Sequence, residues 1–163
     1  MASDDASKLP SVGEVLAPVL MRIPREQQPL LIALAERLAA ERYRGWAALP
    51  GYEAHRNYLL ACADREEEIA RRIESLHPNA EAAQAKLRAK VPELEVINRT
   101  LFEGHSVAEQ LTIQAEGERL GAATWRSFAR GAGETGAAVF ETCARLEEES
   151  AVVLEGILGR TPR

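Results

Sequence analysis

Glu36-Arg37-Leu38-Ala39-Ala40-Glu41-Arg42-Tyr43-Arg44-Gly45-Trp46-Ala47 decides the reading of the fold, because the chain writes this stretch twice. It returns 82 residues later as Glu118-Arg119-Leu120-Gly121-Ala122-Ala123-Thr124-Trp125-Arg126-Ser127-Phe128-Ala129. A second stretch, Cys62-Ala63-Asp64-Arg65-Glu66-Glu67-Glu68-Ile69-Ala70, returns 81 residues later as Cys143-Ala144-Arg145-Leu146-Glu147-Glu148-Glu149-Ser150-Ala151. Two segments repeating at nearly one offset mark a duplicated two-helix unit. So long a period excludes a short-repeat solenoid and predicts two helical hairpins packed about a pseudo-twofold axis.

Outward from the first copy, Leu31, Leu34, Leu38, Gly45 and Leu49 recur at helical spacing between Pro24 and Pro50-Gly51, predicting a helix over about 25–49. Tyr58, Leu59, Cys62, Glu66, Ile69, Ile73 and Leu76 mark one face of a second helix ending near His77-Pro78. The short turn makes these two antiparallel, a first hairpin over 25–77. Residues 77–105 hold Pro78 and Pro92 and read as a partly helical crossover. The second hairpin spans 106–158. One of its helices carries Leu111, Ala115, Glu118, Ala122, Trp125 and Ala129, and the other carries Phe140, Cys143, Glu147, Ser150, Leu154 and Leu158, with glycines 131, 133 and 136 at the turn. A single long crossover makes the second and third helices parallel. The expected fold is all-α, a four-helix bundle over 25–158. Residues 1–24 form an extension packing on it, in which Pro18 breaks the apolar stretch Val12–Ile23 into a helical turn or two, and 159–163 form a tail.

Composition narrows the function. The 163 residues suit one domain, 46% are hydrophobic and only 5% aromatic, and the net charge of −5 is interleaved along the helices. No basic block offers itself to a row of phosphates, so nucleic acid is not an expected partner. The polar, acidic start and the lack of a membrane-spanning apolar run predict a cytoplasmic protein with no membrane partner. Cys62 and Cys143 occupy matching repeat positions and read as reduced thiols, core residues before redox partners.

The anomaly lies on the inward stripes. Glu36, Glu66, Glu118 and Glu147, one per helix, each have apolar neighbours a turn away. Each lies near the middle of its helix, so the hairpins bring all four to one depth. An uncompensated buried carboxylate costs several kcal/mol, so four that converge require cations, protons or arginines. Arg37, Arg65, Arg119 and Arg145 stand close in sequence and offer bidentate compensation if they swing inward. Glutamate is also a good helix former, and common descent of the two halves explains the recurrence without any metal.

Glu36 with Tyr43 seven residues on, an acidic cluster at Glu66, Glu118 with Trp125 seven on, and a second cluster at Glu147 resemble the ferritin-like superfamily, nearest its rubrerythrin-type dimetal-carboxylate members. The resemblance covers about 25–158. It implies one glutamate from each of the first and third helices and a Glu-x-x-His pair from each of the other two, together holding two iron or manganese ions. It assigns the carboxylate positions to Glu36, Glu66, Glu118 and Glu147, and surrounds them with Tyr43, Trp125, Cys62, Cys143, Ile69 and Ser150.

Both histidines of that pattern are absent. Glu66-x-x leads to Ile69 and Glu147-x-x to Ser150, and no register within the Glu-Glu-Glu runs restores an imidazole. His55, His77 and His105 stand too far along the axis to replace them. An all-carboxylate set suits hard ions such as manganese, magnesium or calcium and disfavours an iron-oxidising site. The expectation is therefore a His-less remnant of the dimetal site that binds a hard divalent cation weakly or acts as a structural bundle. Two alternatives stay open: an active dimetal oxidase, peroxidase or hydroxylase using iron or manganese, and a metal-free partner-binding bundle such as a homodimer joined through an apolar helix face.

Overall fold

Seven α-helices and two short 3-10 turns make up the computed structural model, which describes residues 8–159. No strand occurs among the described residues. The expected readings of residues 1–7 and 160–163 lie outside them. The helices are α1 (Val12–Leu20), α2 (Gln28–Ala47), α3 (Arg56–Ser75), α4 (Ala80–Lys90), α5 (Leu94–Thr100), α6 (Val107–Arg130) and α7 (Glu134–Ile157). Among the described residues no helix is long and apolar enough to cross a membrane.

Local chemistry fixes the long helices. Pro29 sits in the first turn of α2, where its missing N–H costs nothing. Ser106 caps α6, accepting from Glu109 N at 3.2 Å while the Glu109 carboxylate accepts from Ser106 N at 2.7 Å, so two orphan donors are satisfied reciprocally. Gly133 in extended conformation opens α7. The segment over 77–105 becomes α4 and α5, separated at Val91-Pro92.

One expectation fails. Pro18 lies inside α1 without breaking it. The ring removes the N–H that would bond the Glu14 carbonyl, but Glu14, Ala17 and Pro18 all face solvent, where water takes that bond. The buried side of the helix is untouched and holds Val19 in the core.

α2 packs along α3, α6 along α7, and α3 meets α7; α1 lies on α6, and α4 and α5 lie against α2. Three apolar clusters follow. One holds Ala40, Tyr43, Trp46, Leu59, Cys62, Ala115 and Leu154, and a second holds Ala33, Ile69, Ile73, Ala122, Trp125 and Cys143. The third, with Val19, Leu31, Leu87 and Leu94, fastens α1, α4 and α5 to α2.

Candidate metal centre

The four glutamates lie where the core divides. Along α2 the chain passes from Ala33 in the second cluster through Glu36 to Ala40 in the first, and along α3 from Cys62 in the first through Glu66 to Ile69 in the second. Along α6 Glu118 separates Ala115 of the first from Ala122 of the second, and along α7 Glu147 separates Ala144 of the second from Leu154 of the first. A carboxylate layer therefore splits one continuous core into two apolar halves.

Within that layer Glu36, Glu66 and Glu147 each bring a carboxylate oxygen within 4.8 Å of the others. Glu66, Glu118 and Glu147 are 0%, 1% and 2% exposed, and Glu36 is half-buried. Neutral donors from the surrounding helices hold some of these oxygens. Glu118 Oε1 accepts from Tyr43 Oη at 2.6 Å and from Gln114 Nε2 at 2.7 Å. Glu147 Oε1 accepts from Trp125 Nε1 at 2.7 Å, and Glu66 Oε1 from Ser150 Oγ at 3.4 Å. Glu66 Oε2 and Glu118 Oε2 are buried and accept no hydrogen bond from a donor outside the carboxylate layer among the described residues. A desolvated carboxylate oxygen left so costs more than the net worth of an ordinary hydrogen bond, which makes these two atoms the unmet demand of the site.

Burial dominates the electrostatics. It pushes Glu36 up to about 7, beyond the lowering effect of contacts with Glu66 and Glu147. Burial likewise holds the Glu66 and Glu147 carboxyls far above their ordinary range, and the neighbouring carboxylates push the same way. Glu36, Glu66 and Glu147 influence one another's titration, and without a cation burial disfavours their charged forms.

The inward arginines expected as a substitute for metal are absent from the layer. Arg37 pairs with Glu67 and Glu74, Arg65 with Glu149, Arg119 with Glu155, and Arg145 donates to Thr142 Oγ1. Each finds a partner nearer the surface, sparing it the cost of entering the apolar core. Ile69 is fully buried among apolar neighbours and Ser150 spends its hydroxyl on Glu66, so neither replaces an imidazole. His55, His77 and His105 stand beside the ends of α3 and α6, apart from the carboxylate group. Cys62 and Cys143 are fully buried, and burial raises their thiols to about 11 and about 12, which removes the thiolate that soft-metal or redox chemistry needs.

Residues unread in the sequence complete the site. A Cβ built on Gly121 would fall 2.6 Å from Glu147 Oε1, so the missing side chain is what admits that carboxylate between α6 and α7. The signal was a glycine inside a helix at the position where the first repeat has Ala39. Gln114, one turn before Glu118, carries no such mark. An apolar cavity of about 400 Å³ opens beside the layer, walled by α1, α2, α5 and α6 and reaching Glu36, Glu118 and Glu147. Comparison of the chain with protein-family models, with curated proteins and with solved structures finds no match.

Proposed function

We propose that the chain is a ferritin-like four-helix bundle of two repeated hairpins, whose carboxylate layer binds a hard divalent cation. The order in which the four long helices pass the two apolar clusters supports the bundle. α3 and α6 run from the first to the second and α2 and α7 from the second to the first, the sense required by two hairpins and one end-to-end crossover. The cation reading rests on one observation, the two carboxylate oxygens without a hydrogen-bond partner in a buried acidic group that has no arginine or lysine in salt-bridge contact among the described residues.

Glu36, Glu66 and Glu147 would hold the ion, with Glu118 beside them. The donor set is oxygen alone, which fits manganese, magnesium or calcium and gives no preference to iron. A bound cation supplies positive charge, stabilising the acidic layer against its own repulsion. With Ile69 and Ser150 in place of imidazoles, the reading is a binding or structural role and not iron oxidation.

The test is thermal melting of chelator-treated protein against manganese, magnesium and calcium. Free ion at a hundredfold excess over Kd stabilises the native state by about 2.7 kcal/mol and raises Tm accordingly. Replacing Glu66→Gln together with Glu147→Gln raises Tm of the metal-free protein by relieving repulsion and abolishes the response to ions. A wild type indifferent to all three ions, with a double variant less stable than it, overturns the proposal.

A further inference from the structure

The cavity beside the carboxylate layer has chemistry of its own. Its wall is mostly aliphatic, with Leu16 and Leu20 from α1, Ile32 from α2, and Ile97 and Leu101 from α5 and its end. A space of this size and character lies within the range of small-molecule sites. α1 roofs it, and the seam is close: a Cβ on Gly13 would fall 2.6 Å from Leu120 Cδ2, and one on Gly117 3.1 Å from Val12 Cγ2.

Arg42 marks its rim. With Asn98 and Phe102 it lines both the cavity and a shallower depression outside, so the guanidinium stands between the two. It donates from Nε and Nη2 to Gln114 Oε1 at 3.2 and 3.0 Å, from Nη1 to Asn98 Oδ1 at 2.6 Å, and lies 3.9 Å over the Phe102 ring. Every one of those partners is neutral. Of five guanidinium N–H groups, two are left over. Arg37, Arg65, Arg119 and Arg126 each have a carboxylate in salt-bridge contact, and Arg42 has none among the described residues. Burial lowers its pKa to about 10, which still leaves the charge in place at neutral pH. A desolvated cation fixed by neutral acceptors beside an apolar cavity is the arrangement that an anionic head with a hydrocarbon body completes.

We infer that this cavity binds a small amphiphilic carboxylate, its head on the Arg42 guanidinium and its chain against the aliphatic wall under α1. An anionic head is favoured over a cationic one because the carboxylate layer draws its positive charge from the ion proposed above, and to that extent the choice rests on that reading. Among the described residues no carboxylate is in salt-bridge contact with Arg42; Glu118, Glu66 and Glu36 act on its charge only from farther away and leave its free N–H groups without an anionic partner.

Calorimetric titration of the full chain, in chelator and again with manganese, separates the two ideas. The probes are hexanoate, octanoate, decanoate, octanol and octylammonium, all below their aggregation limits. Octanoate is expected to bind both forms, about fourfold tighter per added methylene from hexanoate upward. It is expected to bind at least tenfold tighter than octanol. Arg42→Gln should erase that preference while keeping octanol binding, Arg42→Lys should restore part of it, and Ala35→Phe, which fills the cavity, should remove both ligands. Retained octanol binding serves as the folding control. Octylammonium binding more tightly than octanoate to the manganese form, or an octanoate-to-octanol ratio unmoved by Arg42→Gln, overturns the inference. Absence of any manganese effect on Tm while octanoate still binds through Arg42 counts against the cation reading alone.

Discussion

The two halves of the carboxylate layer descend from one motif and solve the problem of buried charge differently. In the second half, Glu118 receives two hydrogen bonds and Glu147 one, from Tyr43, Gln114 and Trp125 at 2.6–2.7 Å. In the first half, Glu66 receives a single long bond from Ser150, and Glu36 is contacted by the neighbouring carboxyls Glu66 and Glu147. The repeat relation is also broken in direction. Tyr43 reaches across to the other hairpin's Glu118, whereas Trp125, its repeat equivalent, turns to Glu147 on the adjoining helix. One half thus has strong protein donors and the other has few, although burial raises Glu147 in the former as it raises Glu36 and Glu66 in the latter.

Glu36 tests this contrast with the largest effect. Its pKa is raised in the folded state from 4.5 to about 7, so the native protein binds more protons than the unfolded chain between those values. Its contribution to stability is therefore fully present below about pH 4.5 and is lost as pH rises through about 7, a change of about 3 kcal/mol. Urea unfolding in chelator at pH 5 and pH 8 should show this fall, and Glu36→Gln should make it shallower, Glu66 and Glu147 carrying the remainder. A slope that is unchanged in the variant, or that runs upward in the wild type, would break the division between the halves. Manganese should offset the loss at pH 8, where the carboxylates are free of competing protons.

Trp125→Phe and Tyr43→Phe probe the anchored half. The first removes the donor to Glu147 and part of an aromatic cluster with Phe128 and Phe140, and should cost about 3 kcal/mol. Tyr43→Phe keeps the ring against Trp46 and loses only the hydroxyl bond to Glu118, for about 2 kcal/mol. Chemical denaturation reads both. Equal costs would show that packing at Trp125 adds nothing beyond its hydrogen bond.

The repeat made much of this legible. Helix positions follow from periodic apolar residues and prolines, and the four inward glutamates from their place on those stripes. The start of α6 and the end of α7 fall within one residue of the expected hairpin, 106–158. Pro18 was misread because a proline's cost depends on where the orphaned carbonyl points, and one sequence does not say which side of a short helix faces water. The arginines next to the glutamates looked available for the interior, but which carboxylate a flexible guanidinium reaches depends on the neighbouring helix. The donor Gln114 and the cavity under α1 were hidden for the same reason, since they arise between elements that no local pattern links.

Gly121 carries the smallest and most diagnostic effect. Gly121→Ala adds helix propensity of about 0.8–1 kcal/mol, and the mirror change Ala39→Gly removes as much from α2. At 121, however, the new Cβ meets Glu147 Oε1, the same oxygen that accepts the Trp125 bond, so relief comes only by moving the carboxylate off its donor. A hydrogen bond to a charged or strongly polarised group is worth about 1.5–3 kcal/mol, which exceeds the helix gain and leaves Gly121→Ala destabilised by about 1 kcal/mol. Both variants should then lose stability, although one gains and the other loses a methyl in a helix. A stabilised Gly121→Ala in urea titration would mean that Glu147 finds an equally good position elsewhere, and that the second half of the layer is no better anchored than the first.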